Sequence, residues 1–219
     1  MSERLLARDG RVAVRRFRRS DLRERMAWPA YTDPFHVHLN FDLSSFIERE
    51  KWLFARTMNA GRMYFAVEDE GGRFIGEMSL RDIDTSAKSA RLGIHLASNM
   101  VSHGYGTEAL RALLQHYFCG MEWEVMFLDV AAYNYRAIRL YERLHFEHLA
   151  PFWRRIAVDE SVLTDPQFSE IRRFLRRTPQ GLECLHYDMA LTREKYVQTR
   201  GEKGEVTGRA APGGLETQA

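Results

Sequence analysis

The spacing of apolar residues changes abruptly between Ala90 and Phe118. Ala90–Ser98 reads as a strand. Thr107–Phe118 reads as a helix, because Leu110, Leu113/Leu114 and Tyr117/Phe118 recur at three-to-four spacing. The loop between them, Asn99-Met100-Val101-Ser102-His103-Gly104-Tyr105-Gly106, carries two glycines. A short buried-looking strand, Val125–Val130, follows the helix, so this region is a parallel strand–helix–strand step. The first N–H groups of a helix are unpaired and lie at the positive end of its dipole. Where glycines let the backbone approach closely, such an end suits a phosphate or pyrophosphate. His103 would add a donor or a charge. On the local pattern alone, an ordinary glycine turn fits equally well.

Around this step the elements are of both kinds. Val12–Phe17 reads as a first strand. Ser20-Asp21 opens a helix over about 21–28 that Pro29 ends, and residues 29–44 form a loop. Ser45 to Glu48 is a capping box opening a helix to about Met58. Met63–Glu68, Arg73–Ile83 and Ala90–Ser98 then form an antiparallel meander, with a tight turn at Glu70–Arg73. Asn134–Leu144 is helical, and strands recur near Glu147–Val158 and Leu182–Leu191. Between these two lies an insertion at about 159–181. There Asp165-Pro166 starts a helix whose apolar stripe is Phe168, Ile171 and Leu175, with Arg172, Arg173, Arg176 and Arg177 on the other face. The pattern predicts a mixed α+β fold, one domain over residues 1–198, and a disordered tail over 199–219.

Composition narrows the function classes. With 13 Phe, 9 Tyr and 4 Trp in 219 residues, the chain can fill a core. A net charge of +2 argues against nucleic acid as the main ligand. The charge is uneven, however, since Arg4, Arg8, Arg11, Arg15, Arg16, Arg18 and Arg19 crowd the start. Cys119 and Cys184 are far apart and make neither a disulfide framework nor a zinc signature, which suits a reducing cytoplasm. The sequence offers no metal site. It has no apolar run of about 18 residues, and its Arg-rich start has no apolar core, so neither a membrane span nor a secretory signal is expected.

A second feature lies beyond the glycine loop. In Asn134-Tyr135-Arg136-Ala137-Ile138-Arg139-Leu140-Tyr141, Asn134 reads as a helix cap and Tyr141 shares its face. The two features, in this order and strand setting, resemble the GNAT superfamily of acyl-CoA-dependent N-acyltransferases. The family's phosphate loop reads Arg/Gln-x-x-Gly-x-Gly/Ala. Here Val101-Ser102-His103-Gly104-Tyr105-Gly106 has both glycines, but Val101 in place of the basic or amide residue. The second family motif matches at Asn134, Ala137, Tyr141 and Phe146, with His145 where glycine is usual. The opening Val14 to Leu22 is similar to the RimJ/RimL-like branch, which includes ribosomal-protein N-terminal acetyltransferases.

The resemblance implies a central, mostly antiparallel twisted sheet with a splayed parallel strand pair, flanked by helices. Acetyl-CoA would lie in the splay. Its pyrophosphate would sit on the backbone of Val101, Ser102, His103, Gly104, Tyr105, Gly106 and Thr107, and its arm along Leu96, Ala97 and Ser98. Asn134 matches a position that contacts that arm. Losing a basic residue at Val101 implies weaker phosphate binding, not none. The reaction implied is direct transfer of an acetyl group to a primary amine, with a backbone N–H near Leu96 meeting the oxyanion and Tyr141 protonating the leaving thiolate. Many relatives use a Glu on the fourth strand as base. That strand here has Arg91 and no carboxylate. Glu77 on the preceding strand is the first candidate base and His95 the second. Acceptor specificity would come from residues 29–44, with Tyr31, Phe35, His36, His38 and Phe41, and from 150–181, with Phe152 and Trp153. Homodimers are frequent in the family, and the insertion is an interface candidate. The missing Glu and the altered loop leave open a non-catalytic acyl-CoA sensor or scaffold.

Overall fold

The computed structural model describes residues 5–43, 45–59 and 61–206, with side chains given to residue 200. Nine strands make one sheet in the order β1-β2-β3-β4-β5-β6-β9-β7, with β8 also paired to β9. The first four strands are β1 (Leu5–Asp9), β2 (Val12–Arg16), β3 (Met63–Glu68) and β4 (Phe74–Asp84). Then come β5 (Ser89–Leu96), β6 (Val125–Ala131), β7 (Glu147–Arg155), β8 (Leu175–Thr178) and β9 (Gly181–Thr192). All neighbours are antiparallel except β5 and β6, which run parallel. The helices are α1 (Asp21–Met26), α2 (Phe46–Thr57), α3 (Tyr105–Gln115), α4 (Tyr135–Arg143) and α5 (Arg193–Val206). This is the mixed fold, with one parallel pair, that the sequence predicts.

Successive residues of a strand face opposite sides, so the sheet separates two cores. On one side Phe65, Met78, Leu80, Met126 and Leu128 pack against Leu110, Leu113, Tyr117 and Phe118 of α3 and the π-turn that ends it, and against Ile138 and Tyr141 of α4. On the other, Phe17, Tyr64 and Phe74 meet Leu22 and Leu53 of α1 and α2, with Trp28 and Trp52 closing the edge. The capping box at Ser45 forms: its hydroxyl accepts from the Glu48 N–H while Glu48 reaches back to the Ser45 N–H. Arg15 bonds Asp21 at 2.7 and 2.8 Å inside the protein, tying β2 to α1 and settling one of the clustered N-terminal arginines.

Three features depart from the sequence expectation. β1 was not predicted. The turn Gly10-Arg11, with Gly10 at φ 52°, folds it back on β2 so that Asp9 pairs with Val12. The insertion holds no α-helix either. Asp165-Pro166 opens a 3-10 turn, Pro166–Phe168, and another covers Arg172–Phe174. The reason is spacing: Phe168, Ile171 and Phe174 recur every three residues, the 3-10 period, and all pack on a third cluster with Phe35, Leu182 and Cys184. Leu175 then enters β8, where Leu175 pairs with Cys184. The expected basic helix face dissolves into separate contacts. Arg176 pairs Glu183 at 2.7 Å, Arg177 pairs Glu160 at 2.8 Å, Arg172 bonds the Asp165 carbonyl, and Arg173 the Tyr135 hydroxyl. Finally, α5 runs past Thr199, where a disordered tail was expected, to Val206. The tail's residues 207–219 lie outside those described.

Candidate active site

The parallel strands part company midway. β5 and β6 pair from Ser89↔Val125 to Leu92↔Leu128 and no further. Beyond that, β5 stays with β4 as far as Gly76↔Leu96, while β6 stays with β9 as far as Ala131↔His186. A wedge opens between them. The Ala97 N–H bonds Ile75 O on the β4 side. By the two-residue alternation of a strand, the amide and carbonyl of Leu96 therefore face the wedge. Tyr31 confirms this direction, since its hydroxyl donates to Leu96 O at 2.8 Å. Gly76 makes room for this arrangement, because a Cβ there would collide with Leu96 Cδ2.

The glycine loop closes the base of the wedge. Ser102 and Gly104 take left-handed backbone conformations, φ 68° and 90°, and Gly104 is the N-cap of α3. From the far side, Arg11 donates to His103 O at 2.9 Å and pairs with Glu108 at 2.6 Å, so the β1–β2 turn braces the loop. An alanine at Gly104 would meet Arg11 Nη2 at 3.2 Å and strain the backbone. Gly104→Ala is expected to cost about 1–2 kcal/mol, lowering Tm by several degrees in calorimetry and weakening CoA binding with it.

A cavity of about 460 Å³ fills the wedge. Of the predicted cofactor residues, Leu96, Val101, Ser102, Gly104, Gly106, Thr107 and Asn134 line it. Ala97, Ser98, His103 and Tyr105 do not: the Ala97 amide is used in the sheet, and the Ser98 hydroxyl donates to Pro29 O. The Asn134 side chain accepts from the Ala137 N–H, capping α4 as expected. Arg136, on the first turn of α4, also lines the cavity and bonds the Ser102 hydroxyl at 3.3 Å; sequence reasoning passed over it.

Tyr141 comes from α4 and His95 from β5, and both line the same cavity. Tyr141 is only 7% exposed. Burial, with a smaller push from Asp129, raises its pKa well above that of a free phenol. Glu77 does not reach the cavity. It is His95's cross-strand partner and sits behind it, its Oε1 3.1 Å from His95 Nδ1. Arg25 of α1 completes the group, with Nε 3.3 Å from Glu77 Oε2 and Nη2 donating to Leu39 O at 2.7 Å. Burial alone would raise the Glu77 pKa, but the His95 hydrogen bond and the Arg25 charge outweigh it and hold the carboxyl below its ordinary value. His95 Nε2 is buried without a hydrogen-bond partner.

The acceptor elements behave unequally. Tyr31, His36 and Leu39 of the 29–44 loop line the cavity, whereas Phe35 and Phe41 are core residues. No residue of 150–181 lines it. Among the described residues no helix is long and apolar enough to cross a membrane.

A family model described as an acetyltransferase (GNAT) domain matches residues 11–147. Among solved structures, the chain resembles a spermidine N-acetyltransferase from Vibrio cholerae in complex with CoA and spermine. The TM-score is 0.66 and the identity 20%, over 85% of this chain and 98% of that one. A dodecameric structure of the Vibrio cholerae enzyme in an intermediate state matches with TM-score 0.64 and 19% identity, covering 86% and 98%. No curated protein sequence matches significantly.

Proposed function

The chain belongs to the acetyltransferase (GNAT) family, and on that premise we propose that it moves an acetyl group from acetyl-CoA to a primary amine by direct transfer in a ternary complex. One observation carries this reading: the wedge between β5 and β6 ends on the glycine loop, and Tyr141 and His95 face the same cavity.

The residues divide the work as follows. The loop backbone from Val101 to Thr107 and the α3 N-terminus hold the cofactor's phosphates. The Leu96 amide, turned into the wedge, meets the charge that develops on the acetyl oxygen. His95, whose ring lines the cavity and whose Nδ1 lies 3.1 Å from Glu77, takes a proton from the acceptor ammonium. The freed amine nitrogen bonds the acetyl carbon and the carbon–sulfur bond breaks. Tyr141 gives its proton to the departing sulfur and regains one from the nitrogen, while the proton on His95 passes to solvent.

The acceptor is a protein N-terminus, a lysine or a small-molecule amine. The RimJ/RimL-like character of Val14 to Leu22 supports the first of these. The acceptor end of the cavity supports it too. Tyr31, His36, Leu39 and His95 wall it, and no carboxylate lines it among the described residues. Nearby Asp33 is already paired with His36 at 3.0 Å. A polyamine would find no free partner there for its further ammonium groups. Residues 1–198 act as one catalytic domain. The free cysteines, Cys119 and Cys184, support a cytoplasmic setting, and the exposed Phe46, Ile47 and Phe54 of α2, with Met58 at its C-cap, support a homodimer.

Thiol release from acetyl-CoA across an amine panel tests the reading. Release that depends on the amine is expected, faster with short peptide N-termini than with spermidine. Binding of acetyl-CoA with no release above background for any amine would favour a sensor instead.

A further inference from the structure

The loop that cradles the phosphates lacks the side-chain cation its pattern calls for, since Val101 stands in that place. Four cationic side chains are near this site, and one of them, Arg143, lines the cavity from the last turn of α4, away from the first turn that bonds the loop. His103 does not line the cavity. Arg11 is committed elsewhere: its guanidinium bonds Glu108 at 2.6 and 3.1 Å and the His103 carbonyl at 2.9 Å. Arg136 is different. It lines the cavity beside Ser102, Gly104 and Thr107, and its one hydrogen bond goes to the Ser102 hydroxyl. Among the described residues no carboxylate pairs with it, so its charge is uncompensated. That charge is felt at Tyr31 and at Tyr141, where it opposes the upward effect of burial on both phenols. The two tyrosines line the cavity with it.

We propose that Arg136, on the first turn of α4, is the cofactor-phosphate ligand that replaces the missing loop cation at Val101. The inference rests on the acyl-CoA reading. Its chemistry is that of a guanidinium, whose planar fork can donate two hydrogen bonds to one phosphate group. The Ser102 contact holds that fork beside the loop, in the cavity that Gly104 and Thr107 also line. The expected weakness from Val101 is thereby offset from a second element.

The test compares CoA with pantetheine, which lacks the phosphates, as ligands of the full chain in calorimetry. Arg136→Ala is expected to weaken CoA binding roughly ten- to a hundred-fold and leave pantetheine unchanged. Arg136→Lys should fall between. Arg139→Ala removes the same charge from an exposed position on α4 that does not line the cavity, and should change neither ligand by more than about twofold. Adding Val101→Arg to Arg136→Ala should recover most of the lost CoA affinity. Equal CoA affinity in Arg136→Ala and the parent chain would overturn the proposal. So would equal losses for CoA and pantetheine, or an equal loss in Arg139→Ala. A parent chain that binds no CoA at all would instead overturn the acyl-CoA reading, and this inference with it.

Discussion

Tyr141→Phe is expected to lower kcat by about a hundred- to ten-thousand-fold, with the KM for acetyl-CoA nearly unchanged. The substitution removes one oxygen and keeps the ring that packs edge-on against Phe146 at 5.8 Å. Ground-state packing therefore survives, and the loss falls on the step at which the sulfur departs. The phenol is suited to that step by its surroundings. Burial raises its pKa above the ordinary value of about 10, so it is fully protonated wherever the enzyme works. A raised pKa places the loss of the acid form on the alkaline side. No decline in kcat attributable to Tyr141 should appear below about pH 10, and any alkaline limb should vanish in the phenylalanine variant. Near-parental kcat for Tyr141→Phe with several acceptors would remove Tyr141 from the chemistry.

How much of this was legible beforehand depends on how local each signal is. The capping box at Ser45 and the cap at Asn134 involve partners three residues away, so sequence spacing reveals them. The glycine loop is legible for the same reason, because positive φ at Gly104 is a demand of one turn. The Asp9-Gly10 dipeptide is a hairpin signal, realised as the β1–β2 turn where Asp9 pairs with Val12. The insertion misled for a physical reason. Phe168, Ile171 and Leu175 fit a helical stripe, but Phe168, Ile171 and Phe174 fit a 3-10 period, and contact with Phe35, more than 130 residues earlier, favours the second. Arg136 had no local signal, and Tyr31, expected in the acceptor loop, gave none for its bond to Leu96. Tyr31 reaches Leu96 across 65 positions and Arg136 reaches Ser102 across 34, and only the closed sheet brings them together.

His95→Ala is expected to lower kcat/KM for the amine by about a hundred- to a thousand-fold at neutral pH, and the deficit should shrink as pH rises. The acceptor is largely an ammonium ion at neutral pH, with a pKa near 8 for a protein N-terminus and near 10.4 for lysine. Without His95 the enzyme depends on amine that has already lost its proton in solution. That fraction grows about tenfold per pH unit until the amine's own pKa, so the variant's rate should climb with that slope while the parent profile stays flatter. A purely structural His95 would give a pH-independent deficit, and that result would end its assignment as base. Glu77→Gln separates the partners. The amide oxygen can still accept from Nδ1, so the ring stays oriented, but the charge is gone. About tenfold loss is expected, because an imidazolium beside Arg25 would lack its counterion. Arg25, Tyr31 and His38 are the other titratable groups around the ring. The same substitution leaves the buried Arg25 unpaired, at a cost to stability of several kcal/mol, so rates must be referred to the folded fraction measured by thermal melting. The parent behaves oppositely toward acid. Because the folded Glu77 carboxyl titrates below its unfolded value of about 4.3, its stabilising contribution is complete above that pH. It is lost only as pH falls further, through the depressed folded value. The parent should therefore show a drop in Tm on acidification below about pH 4 that Glu77→Gln lacks.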